Sequence, residues 1–291
     1  ALGEDFDKPF FMSVGFFRPH VPLFVPPKWF ELHDAESLTL PKNPTLDLDD
    51  IPKNFLGIND YAAAPTHAQV VEHGKQRSLT HAYLASISFV DHCVGIVLEA
   101  LKSSPHAENT LIVLWSDHGF HIGEKENWEK FALWDQTTRV PLFIHAPGLS
   151  KDGTKTRQPA TLTDIYPTLC ELAELPVPKQ CSGTSLVPQL KEPSTPKKQL
   201  ALTSFQFWSE KTPSLAVADP RYRFIRYGNG FEELYDLKND PHEFTNLADD
   251  PRLAKVKARL ARALPAKVEP MRKIPTDSPY HRGRKRGKST N

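Results

Sequence analysis

The 291 residues hold only three cysteines, Cys93, Cys170 and Cys181, and no pair at the spacing of a zinc–thiolate knuckle. Cys93 falls inside an amphipathic helical stretch and reads as a buried thiol. Cys170 and Cys181 flank Pro176-Val177-Pro178 and could close a small disulfide in an oxidising compartment. Net charge is also scarce: 36 Lys and Arg against 35 Asp and Glu leave a formal +1. No global field therefore draws the chain to nucleic acid or to a membrane surface. The local exception is His281-Arg282-Gly283-Arg284-Lys285-Arg286-Gly287-Lys288, a basic tail that reads as solvated and mobile, with polyanion contact as the alternative. No apolar run reaches the roughly eighteen residues of a membrane span, no signal peptide is visible, and no internal repeat occurs.

What is present suits a globular protein with a sizeable core, since 39% of residues are hydrophobic and 24% charged. The chain starts at Ala1 without Met and soon enters Pro9-Phe10-Phe11-Met12-Ser13-Val14-Gly15-Phe16, which reads as a buried strand. A domain opening on an interior strand is expected to be the later part of something longer. A proline-studded loop follows through Arg18-Pro19-His20-Val21-Pro22 to Trp29, and Pro41, Pro44, Pro52 and Pro65 exclude long helices from the polar stretch 41–75. Leu79, Tyr83, Ile87, Val90, Val94, Val97 and Leu101 recur at steps of three and four, the stripe of a long helix.

Thr110-Leu111-Ile112-Val113-Leu114-Trp115 is short, apolar and rich in β-branched residues, as a central strand buried on both faces would be, and residues 140–145 read as a second. With a helix over 164–175, this order suggests a largely parallel α/β sheet flanked by helices. Past residue 200, Leu215-Ala216-Val217, the segment 222–227 and the segment 233–237 alternate like strands of a small antiparallel sheet, and a helix is expected over 251–264.

The chemistry concentrates where the first of the two apolar strands runs into Ser116-Asp117-His118-Gly119. Ligands of open α/β sheets sit at the carboxyl ends of strands, and here an acid and an imidazole stand at that end with Gly119 permitting a tight exit turn. A carboxylate beside an imidazole is a plausible pair of metal ligands. Gly123-Glu124, Trp128-Glu129-Lys130 and Thr138-Arg139-Val140-Pro141-Leu142 follow in order. Glu124 reads as a hydrogen-bond or capping partner rather than a ligand, and His67, His73, His121 and His145 read as surface or core histidines.

Together with Phe16-Phe17-Arg18-Pro19-His20, Tyr83-Leu84-Ala85-Ser86, Thr163-Asp164-Ile165-Tyr166-Pro167 and Glu233-Leu234-Tyr235-Asp236-Leu237 followed by Asp240-Pro241-His242-Glu243, these segments resemble the sulfatases of the alkaline phosphatase superfamily. The group they are most similar to is that of iduronate-2-sulfatase. The resemblance runs over residues 9–250. It implies residues 1–198 as the C-terminal part of an alkaline-phosphatase-like catalytic domain, while the pattern itself marks 199–268 as a small α+β subdomain and 269–291 as a basic flexible tail. It implies hydrolysis of sulfate esters of sugars by a formylglycine nucleophile with a divalent cation, usually calcium. Asp117 and His118 would be metal ligands, and Lys130 and His20 would face the sulfate and serve the leaving group. A secreted, periplasmic or lysosomal setting is implied as well. Choline-sulfatase-like and phosphonate or phosphodiester hydrolases share the Asp-His-Gly motif, and a non-catalytic binding module is a further alternative. None of the three cysteines lies in the Cys-x-Pro-Ser-Arg or Cys-x-Ala-Gly-Arg context of the family's nucleophile, and its N-terminal acidic metal ligands are missing too. The chain alone is therefore expected to be inactive.

Overall fold

A capping box starts the helical part: the Gln69 amide donates to Thr66 Oγ1 at 3.2 Å, and the Thr66 amide donates to Gln69 Oε1 at 2.9 Å. In this computed structural model, which describes residues 2–4, 6–44, 47–51, 65–149, 153–206 and 212–269, that box opens α1 (His67–Glu72), followed by α2 (Gln76–Lys102). The basic tail at 281–288 and Pro52 lie outside the described residues, as do other parts of the polar stretch 41–75 and residues 207–211.

Beyond α2 come β1 (Ile112–Trp115), β2 (His121–Ile122), β3 (Trp128–Glu129), α3 (Asp135–Thr138), β4 (Leu142–His145), α4 (Ile165–Leu172) and α5 (Val187–Lys191). The C-terminal part is a meander of β5 (Ala201–Phe205), β6 (Ser214–Ala218), β7 (Tyr222–Arg226) and β8 (Glu232–Asp236), closed by α6 (Ala254–Ala261). The architecture is mixed α/β with a small antiparallel C-terminal sheet, as expected.

β6, β7 and β8 of the C-terminal sheet are buried on both faces because they alternate two apolar sets. Leu215, Val217, Phe224 and Leu234 pack with Leu260 and Leu264 from and just after α6. Ala216, Ile225 and Tyr235 point the other way, onto Ile51, Ala132, Leu133 and Trp134. Each large side chain so buried contributes about 1.5–3 kcal/mol relative to exposure. The second face matters for function, since the segment 132–134 belongs to the loop system after the Asp-His-Gly motif.

The burial of β1 and the strand at 9–16 are corrected, and strand pairing and the thiols add two findings. β1 pairs with β4 antiparallel, Val113 opposite Ile144, and no parallel pairing occurs among the described residues. β1 is not buried on both faces either, for Leu114 and Trp115 are exposed: a strand with one neighbour has one covered edge. Residues 9–16 form no ladder, and Phe11, Met12, Val14 and Phe16 are exposed; extended backbone without a partner strand is not a β-strand, whatever its apolar content. Cys170 and Cys181 are free thiols, the first on the buried face of α4.

α2 is the one helix among the described residues that is long and apolar enough to cross a membrane by length and composition. It makes tertiary polar contacts instead: Ser88 Oγ lies 2.9 Å from His33 Nε2, and His81 Nε2 lies 3.0 Å from the Phe30 carbonyl. Tyr83 stacks on Phe120 with centroids 5.0 Å apart, which ties the helix to the loop carrying the motif.

Candidate active site

β1 delivers the motif to the end of its two-stranded sheet, where the Ser116 hydroxyl donates to the His118 carbonyl at 2.9 Å and tightens the turn. Asp117 Oδ1 accepts the His118 amide at 3.1 Å. His118 Nδ1 lies 2.8 Å from the Gly119 carbonyl, an atom that can only accept, so Nδ1 carries a proton and, in the neutral ring, Nε2 keeps its lone pair. That lone pair stands 3.6 Å from Asp117 Oδ2. Two acceptors converging on one point are mutually repulsive unless a proton or a cation lies between them. Asp117 is exposed and His118 about a third exposed at its side chain, so the corner opens to solvent.

Gly119 is required by the surroundings. Its amide donates to the Thr137 carbonyl at 2.7 Å, and a Cβ there would stand 1.9 Å from the Gln136 carbonyl oxygen.

The following loop is bent by residues in the left-handed region: Gly123 (φ 124°), Lys125 (φ 54°), Glu126 (φ 50°) and Glu129 (φ 82°). Such non-glycine conformations cost on the order of 1 kcal/mol or more each and persist where the surroundings over-determine them. Lys125 supplies that restraint, with its buried Nζ 2.9 Å from Asp47 Oδ1 and over the rings of Trp134 and Tyr235. Glu124 Oε2 accepts the Ile122 amide at 2.8 Å, the hydrogen-bonding part expected of it. His121 is fully buried, donates from Nδ1 toward the Glu124 carbonyl, and is pushed down to about 4 chiefly by burial, so it is a neutral core imidazole. His67 receives the Trp128 indole N–H at 3.2 Å.

The loop ends on Glu129 and half-buried Lys130, and Lys130 makes no side-chain hydrogen bond or ion pair among the described residues. His20 is exposed on the proline loop with Nδ1 2.7 Å from the Val21 carbonyl, which again leaves Nε2 as the free lone pair. Burial raises the Glu129 carboxyl above its ordinary value, while Lys130 and His20 both act to lower it. Glu129 therefore has His20 and Lys130 within electrostatic reach. Sequence reasoning passed over Glu129, and its only local signal is its place between Trp128 and Lys130.

The expected residues thus form two pairs, Asp117 with His118 and His20 with Lys130 about Glu129. No hydrogen bond or ion pair joins one pair to the other among the described residues. Neither is there, among those residues, a group of three or more His, Cys, Asp or Glu able to hold a metal. A divalent cation fits the Asp117–His118 corner in part: a separation of 3.6 Å suits neighbouring ligands of an ion with metal–ligand distances near ~2.4 Å. Two donors are well short of the roughly six to eight that calcium takes.

The sulfatase family model matches residues 1–175, and the model described as N-sulphoglucosamine sulphohydrolase, C-terminal, matches residues 123–269. A Formosa agariphila protein named sulfatase is 42% identical over 249 residues, 86% of this chain and 48% of that protein. Iduronate 2-sulfatase of Mus musculus is 32% identical over 206 residues, 60% of this chain and 37% of that protein. Among solved structures, a phosphonate monoester hydrolase from Silicibacter pomeroyi superposes with a TM-score of 0.72 at 26% identity, covering 84% of this chain and 53% of that one. The chain spans about half the length of the relatives it matches.

Proposed function

This chain belongs to the sulfatase family, and from that premise we propose that it forms the leaving-group side, and part of the metal site, of a sulfuric ester hydrolase acting on sulfated sugars. The observation that carries the proposal is the convergence of Asp117 Oδ2 and the His118 Nε2 lone pair at 3.6 Å, at the end of β1.

In this reading Asp117 and His118 are two ligands of a divalent cation, calcium by resemblance, which when bound would polarise the sulfate group as a Lewis acid. The loop after β3 holds the Lys130 ammonium with no side-chain hydrogen bond among the described residues and only the field of Glu129 beside it, ready to neutralise a sulfate oxygen and to place a proton near the departing alcohol. His20 offers an unprotonated Nε2 that can accept a hydrogen bond, or in its protonated form can donate one to the ester oxygen. Glu129 lies within electrostatic reach of both. The nucleophile, a formylglycine in this family, belongs outside the three cysteines of this chain.

The likeness to an iduronate 2-sulfatase supports a sulfated uronic acid or related sugar as the substrate class. Such a substrate would place the whole protein in a secretory, periplasmic or lysosomal compartment, a reading the free thiols do not strengthen. A phosphonate or phosphodiester substrate is the second reading, supported by the superposition on a phosphonate monoester hydrolase.

The deciding experiment assays the whole protein on a 2-O-sulfated uronate disaccharide and on a phosphonate monoester. Sulfate release is expected to dominate and to fall about a hundredfold or more in Lys130→Ala. A preference for the phosphonate ester, or a Lys130→Ala variant as active as the parent, overturns the assignment. The isolated chain should release no sulfate.

A further inference from the structure

Glu243 sits in the Asp240-Pro241-His242-Glu243 segment that follows β8, more than a hundred residues from the Asp-His-Gly motif, and no role in the reaction falls to it. It is fully buried, and its backbone takes the left-handed conformation, φ 59°, unfavourable for a glutamate. Its carboxylate is spent on two contacts. Oε2 accepts the Asp135 amide at 2.7 Å, and Oε1 lies 2.9 Å from Arg223 Nε. The Asp135 carboxylate in turn takes Arg223 and Arg139. Glu243 thus grips the first residue of α3 from the segment after β8.

α3 is a single turn with little stability of its own. Its carbonyls nevertheless make the contacts that shape the motif: Gln136 accepts the Phe120 amide at 3.0 Å, and Thr137 accepts the Gly119 amide at 2.7 Å. The absence of a Cβ at Gly119 lets the two segments approach that closely. His118 donates from Nδ1 to the Gly119 carbonyl, so the same peptide that α3 clamps also sets the imidazole's orientation.

We infer that Glu243 is a positioning residue: through the Asp135 amide it holds α3 against Gly119 and thereby fixes where Asp117 and His118 stand. Oε1 faces Arg223 on β7, whereas Oε2, through the Asp135 amide, leads to α3 and the Gly119 turn, so the second contact is the one that bears on the motif. The functional meaning rests on reading Asp117 and His118 as the working corner. The test reads the order of the loop directly, so the two can fail separately.

Amide hydrogen exchange on the full chain compares Glu243→Ala, Glu243→Asp and Glu243→Gln. Losing the Asp135 contact is expected to speed exchange at the Gly119 and Phe120 amides about tenfold relative to the amides of β5 and β6. Glu243→Asp withdraws the carboxylate by one methylene and reports the same loss if the alanine variant does not fold. Glu243→Gln keeps an acceptor for the Asp135 amide and should retain the parent's protection. Unchanged protection at Gly119 and Phe120 in the Ala and Asp variants overturns the inference, and so does a loss spread evenly over loop and sheet.

Discussion

At the scale of single residues, Lys125 does more for the site than its position in a loop suggests. Its ammonium is buried with Asp47 as ion-pair partner, and burial raises the Asp47 carboxyl despite the opposing pull of that lysine. Removing one member of a buried pair leaves the other charged and unsolvated. Lys125→Ala should therefore cost on the order of 3–5 kcal/mol, with Asp47→Ala plus Lys125→Ala costing less than the sum of the singles. Urea unfolding at unchanged slope measures this, and a single-variant cost under about 1 kcal/mol would contradict it. Asp117 and His118 were legible in the sequence because they are adjacent and follow an apolar run. Lys125 was not, because Asp47 and Tyr235 meet it only after folding. Glu129 was missed for the same reason: its neighbour His20 is far away in sequence.

At the scale of elements, α3 and the C-terminal sheet are joined by buried charge, and that junction makes stability respond to pH. Burial pushes Glu243 up from 4.5 to about 7, against the opposing field of Arg223, with Asp135 raising it further and Lys125 lowering it. A carboxyl raised in the folded state stabilises fully below its unfolded value, and that contribution is lost as pH climbs toward about 7. His121 works in the opposite direction, since its folded value is lowered to about 4 and its penalty appears as pH falls below the ordinary 6.5. The two slopes oppose each other where they overlap, so a difference between variants is the informative quantity. Glu243→Gln, which cannot ionise, should gain stability over the parent as pH rises from 5 to 7, by on the order of 3 kcal/mol, then hold level. Thermal melts at intervals between pH 5 and 8 check this, and a flat difference would mean that Glu243 is ionised throughout.

The alternation along β6, β7 and β8 was legible because each face of that sheet has its own apolar set, α6 on one side and Trp134 on the other. β5, β2 and β3 escaped notice, the last two being only two residues long each. The apolar run at 9–16 misled, because hydrophobicity marks a strand only where another strand lies beside it.

At the scale of the whole molecule, the apolar surface follows the same logic. Phe11, Phe24, Trp115 and Phe143 are exposed, and α2 adds Ile87, Ile96 and Leu98. β1 and β4 have no further strand beside them among the described residues. A surface of this extent is of the kind that additional strands or another chain cover. It also explains why a parallel sheet was expected from sequences that pair antiparallel here, since buried central strands and half-covered ones share the same apolar composition. The relatives are about twice as long, and Asp117 and His118, the two cation ligands proposed for this chain, are a minority of a full set.

The proposed cation-binding corner is the point on which the function turns, and imidazole nitrogen chemical shifts during a calcium titration of this chain test it most directly. His118 Nε2 should shift saturably in the millimolar range, as weak two-ligand binding requires, while buried His121 stays still and Asp117→Asn abolishes the change. A His118 resonance that ignores calcium, or one that responds equally with Asp117 replaced, would contradict the assignment.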